Sequence, residues 1–222
     1  NNTGGTKPMS VYSTMAVLQF IKTLFTASAM ALLSDFYYDN DLTQVITKDD
    51  IVKIDLSEAY AKNGSNTLIR SVGVSSTAYA NVTEVKWFNR EGSVSYIPQS
   101  CFLNWTSLNK FDFGCVTLID VAPFKNTGFV DLVIPATVTQ IKNSAFEACL
   151  SLETLTIEGS LSSGVGTGMF SGCTALKTAT MNEITTLGVR MFKSCTDLTT
   201  VIAPKATVIK EEAIGSTCTS IT

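Results

Sequence analysis

Ile134-Pro-Ala-Thr-Val138-Thr-Gln-Ile141-Lys-Asn-Ser-Ala145-Phe146-Glu-Ala-Cys149-Leu-Ser-Leu152-Glu-Thr-Leu155-Thr-Ile157 is the stretch from which the fold is read. Its last six residues alternate apolar with polar side chains, the pattern of a half-buried strand. Outward from it, the same spacing recurs. Phe102, Phe124, Phe146, Phe170 and Phe192 recur at intervals of 22, 22, 24 and 22, and Ile214 follows after another 22. Five residues before these stand Ile97, Ile119, Ile141, Val165, Leu187 and Ile209, and eight before stand Val94, Val116, Val138, Ser162, Ile184 and Ala206. Six residues after each Phe come Leu108, Val130, Leu152, Leu176 and Leu198, and nine after come Phe111, Val133, Leu155, Ala179 and Val201. A worn earlier unit starts near Tyr79, with Val82, Val85 and Phe88 in matching columns.

Columns that hold one phase over five or six units define a repeat. One unit of this length cannot bury its own apolar face, so the units stack into a coil with a continuous core and a parallel sheet. Coils in such a sheet sit about 4.8 Å apart, so six make a body roughly 25–30 Å long. The segment from Ala145 to Cys149 is expected as a short turn or helical piece that points its Phe inward. The spacing thus predicts an α/β repeat solenoid with a parallel β-sheet over residues 73–222. Thr222 falls in mid-repeat, which suggests a chain that continues or an end covered by a partner.

Those units also carry a resemblance. Ile134–Ile157, together with Met169-Phe170-Ser-Gly-Cys173-Thr-Ala-Leu176 and Met191-Phe192-Lys-Ser-Cys195-Thr-Asp-Leu198, resembles the BspA-like (Treponema pallidum type) leucine-rich repeat. The units at Phe102 and Phe124 depart from it, with Trp105 and Thr127 in place of the Cys. The resemblance implies a leucine-rich repeat solenoid, non-enzymatic binding or adhesion at a bacterial surface, and no shared catalytic residue.

Composition narrows the function. The 222 residues are 45% hydrophobic and 16% charged, with a mean hydropathy of +0.24, which excludes charge-driven disorder for most of the chain. A net charge of −3 offers no basic field for nucleic acid. With no histidine, His-based acid–base chemistry, His-activated nucleophiles and His-ligated metals all drop out. No cofactor, metal or catalytic residue is expected. Cys149, Cys173 and Cys195 each follow their Phe by three residues, which predicts a ladder of buried free thiols. Cys218 falls one residue late, and Cys101 and Cys115 lie off the column.

The N-terminal third, residues 1–72, differs in character. Residues 1–40 hold a flexible lead and an apolar segment read as a helix over 10–34, rich in helix formers. Lys22, Gln19, Thr23 and Thr26 argue against a membrane span. Leu18, Ile21, Phe25 and Leu32 lie at heptad-like steps and are the candidate assembly residues, although the pattern lasts only two heptads. Capping of the first coil is the competing reading. Residues 41–72 read as a small β linker, with strand-like Leu42–Ile46 and Ile51–Leu56 and a turn at Asn63-Gly64.

Remaining motifs are weighed against plain alternatives. Asp39, Asp41, Thr43 and Asp50 partly match a calcium loop, but Gln44 stands where Gly is needed. Gly164-Val-Gly166-Thr-Gly168 marks a wider turn where the repeat is two residues longer, and lacks the Lys-Ser/Thr of a phosphate cradle. Glu211-Glu212 has no companion acid in glycosidase geometry. Sequons stand at Asn63, Asn81 and Asn104. Trp87, Tyr96 and Trp105 are the candidate binding aromatics, against the reading that they plug the first coils. The sequence therefore points to a surface recognition module, extracellular or on a cell surface, with a protein or glycan partner. The alternative is a spike or fibre subunit of a virion, made homo-oligomeric by its N-terminal helix.

Overall fold

The computed structural model describes residues 36–37, 45–46, 53–55, 81–89, 95–216, 218 and 220–222. The first described strands are β1 (Phe36–Tyr37), β2 (Val45–Ile46), β3 (Lys53–Asp55), β4 (Glu84–Lys86), β5 (Tyr96–Ile97), β6 (Lys110–Asp112), β7 (Leu118–Ile119) and β8 (Asp131–Ile134). They are followed by β9 (Gln140–Ile141), β10 (Thr154–Ile157), β11 (Gly164–Val165), β12 (Thr178–Thr180), β13 (Thr186–Leu187), β14 (Thr200–Ile202), β15 (Val208–Ile209) and β16 (Ser220–Ile221). Among the described residues, every pairing apart from the antiparallel pair β1–β2 is parallel. The chain is a solenoid that contributes two strands per coil to separate walls. One wall holds the sheets β3-β4-β6 and β8-β10-β12-β14-β16, and the other holds β5-β7-β9-β11 and β13-β15. The parallel solenoid is as expected, and among the described residues the rest of each coil is turns rather than helix. The helix expected over residues 10–34 lies outside the described residues, as does the turn at Asn63-Gly64.

The core is a stack of repeats, as the periodicity demands. Phe102, Phe124, Phe146, Phe170 and Phe192 are fully buried. Their rings lie near-parallel, with successive centroids 5.4, 5.0, 5.2 and 5.7 Å apart. Ile97, Ile119, Ile141 and Leu187 close the core from the second wall. Phe N–H groups donate to the next coil, as in Phe124 to Ala145 O at 2.9 Å and Phe146 to Met169 O at 2.8 Å. These bonds satisfy turn backbone that burial would otherwise strand.

Three column assignments are corrected in phase, and Ile209, the last member of the second-wall column, is 58% exposed rather than inward. Leu132 is buried and pairs with Leu155, whereas Val133 is 53% exposed. Phe129 is buried in place of Val130, which is 43% exposed. Leu161 is buried in place of Ser162. The first two share a cause: Phe124 lies eight residues before Leu132 but Phe146 lies nine before Leu155, so one residue is missing from that turn. A strand's side chains alternate, so a one-residue slip exchanges inside for outside. At Leu161 the longer repeat between Phe146 and Phe170 shifts the phase.

β3, within the segment read as a linker, pairs in parallel with β4 at Lys53↔Glu84 and Asp55↔Lys86. It therefore belongs to the same wall as the repeats, ahead of the boundary placed near residue 72. The wall itself is interrupted between β6 and β8, which share no ladder. Phe111, Phe113, Phe124 and Phe129 crowd this coil, with ring centroids 4.8 to 6.0 Å apart. Their bulk and the missing residue put the two strands out of register.

Candidate functional site

The aromatics singled out from sequence do not form a surface. Trp87 and Trp105 are fully buried and Tyr96 is half-buried against the core. Trp87 packs edge-on against Phe102 at 5.6 Å, and Trp105 against the same ring at 5.1 Å. Burial of large aromatic area in the worn first coils, where neighbouring columns are poorer, accounts for their place. The reading of Trp87 and Trp105 as exposed contact residues is corrected accordingly. Leu18, Ile21, Phe25 and Leu32 lie outside the described residues, as does the acidic segment from Asp39 to Asp41.

The thiol ladder is a structural device. Cys149, Cys173 and Cys195 are buried and unbridged. Each Sγ–H donates to the carbonyl of the Phe one coil back: Cys149 to Phe124 O at 3.2 Å, Cys173 to Phe146 O at 3.2 Å, Cys195 to Phe170 O at 3.1 Å. Thr127 continues the column, its Oγ1 donating to Phe124 O at 2.9 Å and lying 3.2 Å from Cys149 Sγ. Hydrogen bonding with Cys149 and Cys195, then burial, holds the Cys173 thiol well above its ordinary pKa. Cys101 is fully buried directly before Phe102, and burial alone pushes its pKa far up. Cys101 and Cys173, held in the protonated form, are inert, because the thiolate is the reactive species. Among the described residues no cluster of His, Cys, Asp or Glu is arranged to hold a metal.

The Gly-rich segment is explained by packing. A Cβ on Gly166 would lie 2.3 Å from the Lys142 carbonyl carbon, so only glycine lets the two coils close here. Glu212 is exposed and receives Arg190 Nε at 2.5 Å and Lys193 Nζ at 3.1 Å. Asn104 is exposed in its turn, with Oδ1 accepting from Asn126 Nδ2 at 3.1 Å.

What remains is the outward face of the first wall. Side chains alternate along each strand, so β8, β10, β12 and β14 present Asp131 and Val133, Thr154 and Thr156, Thr178 and Thr180, Thr200 and Ile202. Before the interruption β4 and β6 present Glu84 and Lys86, Lys110 and Asp112, and Lys53 on β3 pairs with Glu84 at 2.6 Å. The face is thus charged and mixed in sign up to β6 and Asp131, and neutral and β-branched beyond. Val130 and Val133 stand exposed at the junction, and Leu150 is 56% exposed in the turn that precedes β10. Sequence reasoning missed this face because it followed the columns that turn inward.

The fold defines a class: a stack of short parallel strands in leucine-rich units, with a hydrophobic ladder inside and a free outer sheet face. The BspA type leucine rich repeat region matches residues 34–153 and 117–222, in six copies, and the chain belongs to that family. The fold is similar to a leucine-rich repeat protein from Bacteroides ovatus, at TM-score 0.58 and 22% identity over 64% of this chain and 37% of that one. It is also similar to the Treponema pallidum leucine rich repeat protein, at TM-score 0.51 and 17% identity over 72% of this chain and 66% of that one. The chain therefore spans about a third and about two thirds of the length of these two proteins. No curated protein sequence matches it. Proteins of this repeat class are generally surface or protein-interaction modules, typically without enzymatic activity. No helix among the described residues is long and apolar enough to cross a membrane.

Proposed function

We propose that the chain is a non-enzymatic recognition module of a cell surface that binds a protein partner across the outer sheet face, centred on β8. The observation that carries this is the exposure of Val130 and Val133, at outward positions where the next coil carries the polar Glu153 and Thr156. Folding alone gains nothing from two valines in water. Apolar residues set among mixed charges are the composition of a contact patch, with the charges steering approach and the apolar groups holding it. Trp87 and Trp105, the side chains on which a sugar ring would stack, are inside the coil, which favours a protein partner over a glycan.

The test is adhesion of the labelled full chain to immobilised host-surface and matrix proteins, compared with Val133→Lys. Saturable binding to one of them that Val133→Lys reduces at least tenfold, with an unchanged thermal melt, is the expected outcome. Binding that ignores the substitution removes β8 from the contact, and no saturable binding removes the reading.

A further inference from the structure

Threonines among the described residues differ in what their hydroxyls do. Several of those at the turns are used by the fold, although Thr106, Thr167, Thr174 and Thr185 make no side-chain hydrogen bond among the described residues. Thr117 Oγ1 donates to Ser95 O at 3.2 Å, Thr139 to Thr117 O at 3.3 Å, Thr196 to Thr174 O at 3.3 Å, Thr199 to Lys177 O at 3.4 Å and Thr207 to Thr185 O at 3.5 Å. Each ties one coil to the coil before it. The threonines of the outer sheet face are different. Thr154 Oγ1 donates to Asp131 Oδ1 at 2.5 Å. Thr156, Thr178, Thr180 and Thr200 make no side-chain hydrogen bond among the described residues. Their hydroxyls are left to the solvent.

These hydroxyls form a two-dimensional array. The ladder places Thr154↔Thr178↔Thr200↔Ser220 in one row and Thr156↔Thr180↔Ile202 in the other. The rows run across strands about 4.8 Å apart, and the two rows are separated by two residues of strand, about 6.6 Å. β-branching restricts χ1, so each hydroxyl and its methyl are confined to few positions. No charged residue stands on the outward side of β10, β12, β14 or β16, although charge occupies that side of β4 and β6. A strongly hydrated charge would break up any ordered layer of water over the array.

We propose that this threonine field is a binding face for water in its solid, ordered form, an ice lattice. Water held between the rows by idle hydroxyls, over a floor of methyl groups, takes the spacing of the sheet, and hexagonal ice repeats on the same scale. Taken apart from β8 and the charged strands, the threonine field is too small to be a protein interface by itself. Four strands by two rows span roughly 250 Å², against about 800 Å² per partner for a stable protein complex. A crystalline surface offers the same repeat wherever the patch lands. Crystalline polysaccharide is the other periodic solid of this kind, but its binders stack aromatic rings on sugars, and this face has none. The inference stands on β10 to β16 and is independent of the valines at β8.

The experiment is ice-crystal growth in solutions of the full chain, read as crystal shape and as the gap between melting and freezing temperatures. Thr178→Lys and Thr180→Lys each place a charged side chain in the middle of the array, and Thr185→Lys places the same side chain on an exposed turn. Variants are compared after matching their thermal melts. Faceted ice and an open gap with the wild type, retained in Thr185→Lys and lost in Thr178→Lys and Thr180→Lys, are expected. Unshaped ice with the folded wild type overturns the proposal, as does shaping that survives both array substitutions. Adsorption to microcrystalline cellulose in place of ice, with the same threonine dependence, overturns it too, by assigning the array to a hydroxylated solid.

Discussion

Each coil reverses direction on residues whose backbone is left-handed. Two residues before the Phe stand Ser100, Ala122, Ser144, Gly168 and Arg190, with Glu212 two before Ile214, and two after the Phe stand Asn104, Asn126, Ala148, Gly172 and Ser194, all with φ between 50° and 75°. Only glycine takes this conformation without steric cost, and asparagine is the least penalised of the rest. The Phe column was legible because one large apolar type recurs in phase. The left-handed columns were not, because Ser, Ala, Arg and Glu carry no turn signal and the stack simply imposes the conformation. Two glycines separate conformational from steric cost. At Gly172 an added Cβ would lie 3.9 Å from the nearest atom, so Gly172→Ala is expected to lose only the backbone preference, about 1 kcal/mol. At Gly166 the Cβ would meet Lys142 backbone at 2.3 Å, so Gly166→Ala must push adjacent coils apart and is expected to cost about 3 kcal/mol. Urea unfolding midpoints of the two variants test the ranking, and equal losses would refute the close packing at Gly166.

At the scale of strands, the interruption between β6 and β8 is the main departure from a regular repeat. The ordinary repeat length between Phe124 and Phe146 conceals it. The turn after Phe124 is one residue short and the path from Leu132 to Val138 is correspondingly long, so the columns regain phase at Val138. Period counting sees the sum and not the two compensating slips, which is why Val130 and Val133 read as inward. Gly128 marks the tight place: its N–H donates to Leu108 O at 3.0 Å, and a Cβ there would lie 2.1 Å from Thr106 O. Beyond it β8 is laddered to β10 alone, while β10 and β12 are laddered on both sides. Amide protection follows ladder bonds that must break for exchange. Hydrogen exchange is therefore expected to be fastest, within the five-strand sheet, in β8 and in the edge strand β16, and slowest in β10 and β12. Equal protection across β8, β10 and β12 would mean that the sheet is continuous in solution.

Over the whole molecule, charge clamps coil to coil. Lys125–Glu147, Lys142–Asp120, Lys177–Glu153, Arg190–Glu212 and Lys205–Glu183 each join neighbouring coils, with N···O distances of 2.5 to 3.1 Å. The stacked core was legible in the sequence, but these clamps were not, since partners a full repeat apart become neighbours only once the coil closes. The same holds for the outer face, whose threonines read as ordinary strand polar residues until the ladder aligns them. Two of the clamps set a pH dependence. At Glu147 partial burial opposes ionisation, but hydrogen bonds from Lys125 and Ser144 and the Lys125 charge prevail and lower its pKa. At Glu212 the Arg190 hydrogen bond leads and the Lys193 one follows, and its pKa is also lowered. A carboxylate whose pKa is lower in the folded state stabilises the fold above its unfolded value, about 4.3, and loses that contribution as pH falls through the folded value. No histidine titrates in between. The thermal midpoint is therefore expected to be flat from about pH 5.5 to 8 and to fall below about pH 4.3. In Glu212→Gln the midpoint at pH 7 should lie slightly lower and the acid decline should be shallower, since one carboxylate no longer contributes to it. Exposed pairs are screened by salt, so this difference should shrink in molar salt. A midpoint that instead declines as pH rises from 6 to 7, in a chain without histidine, would mean that a carboxylate outside these clamps is held far above its ordinary range in the folded state, so that ionising it destabilises the fold.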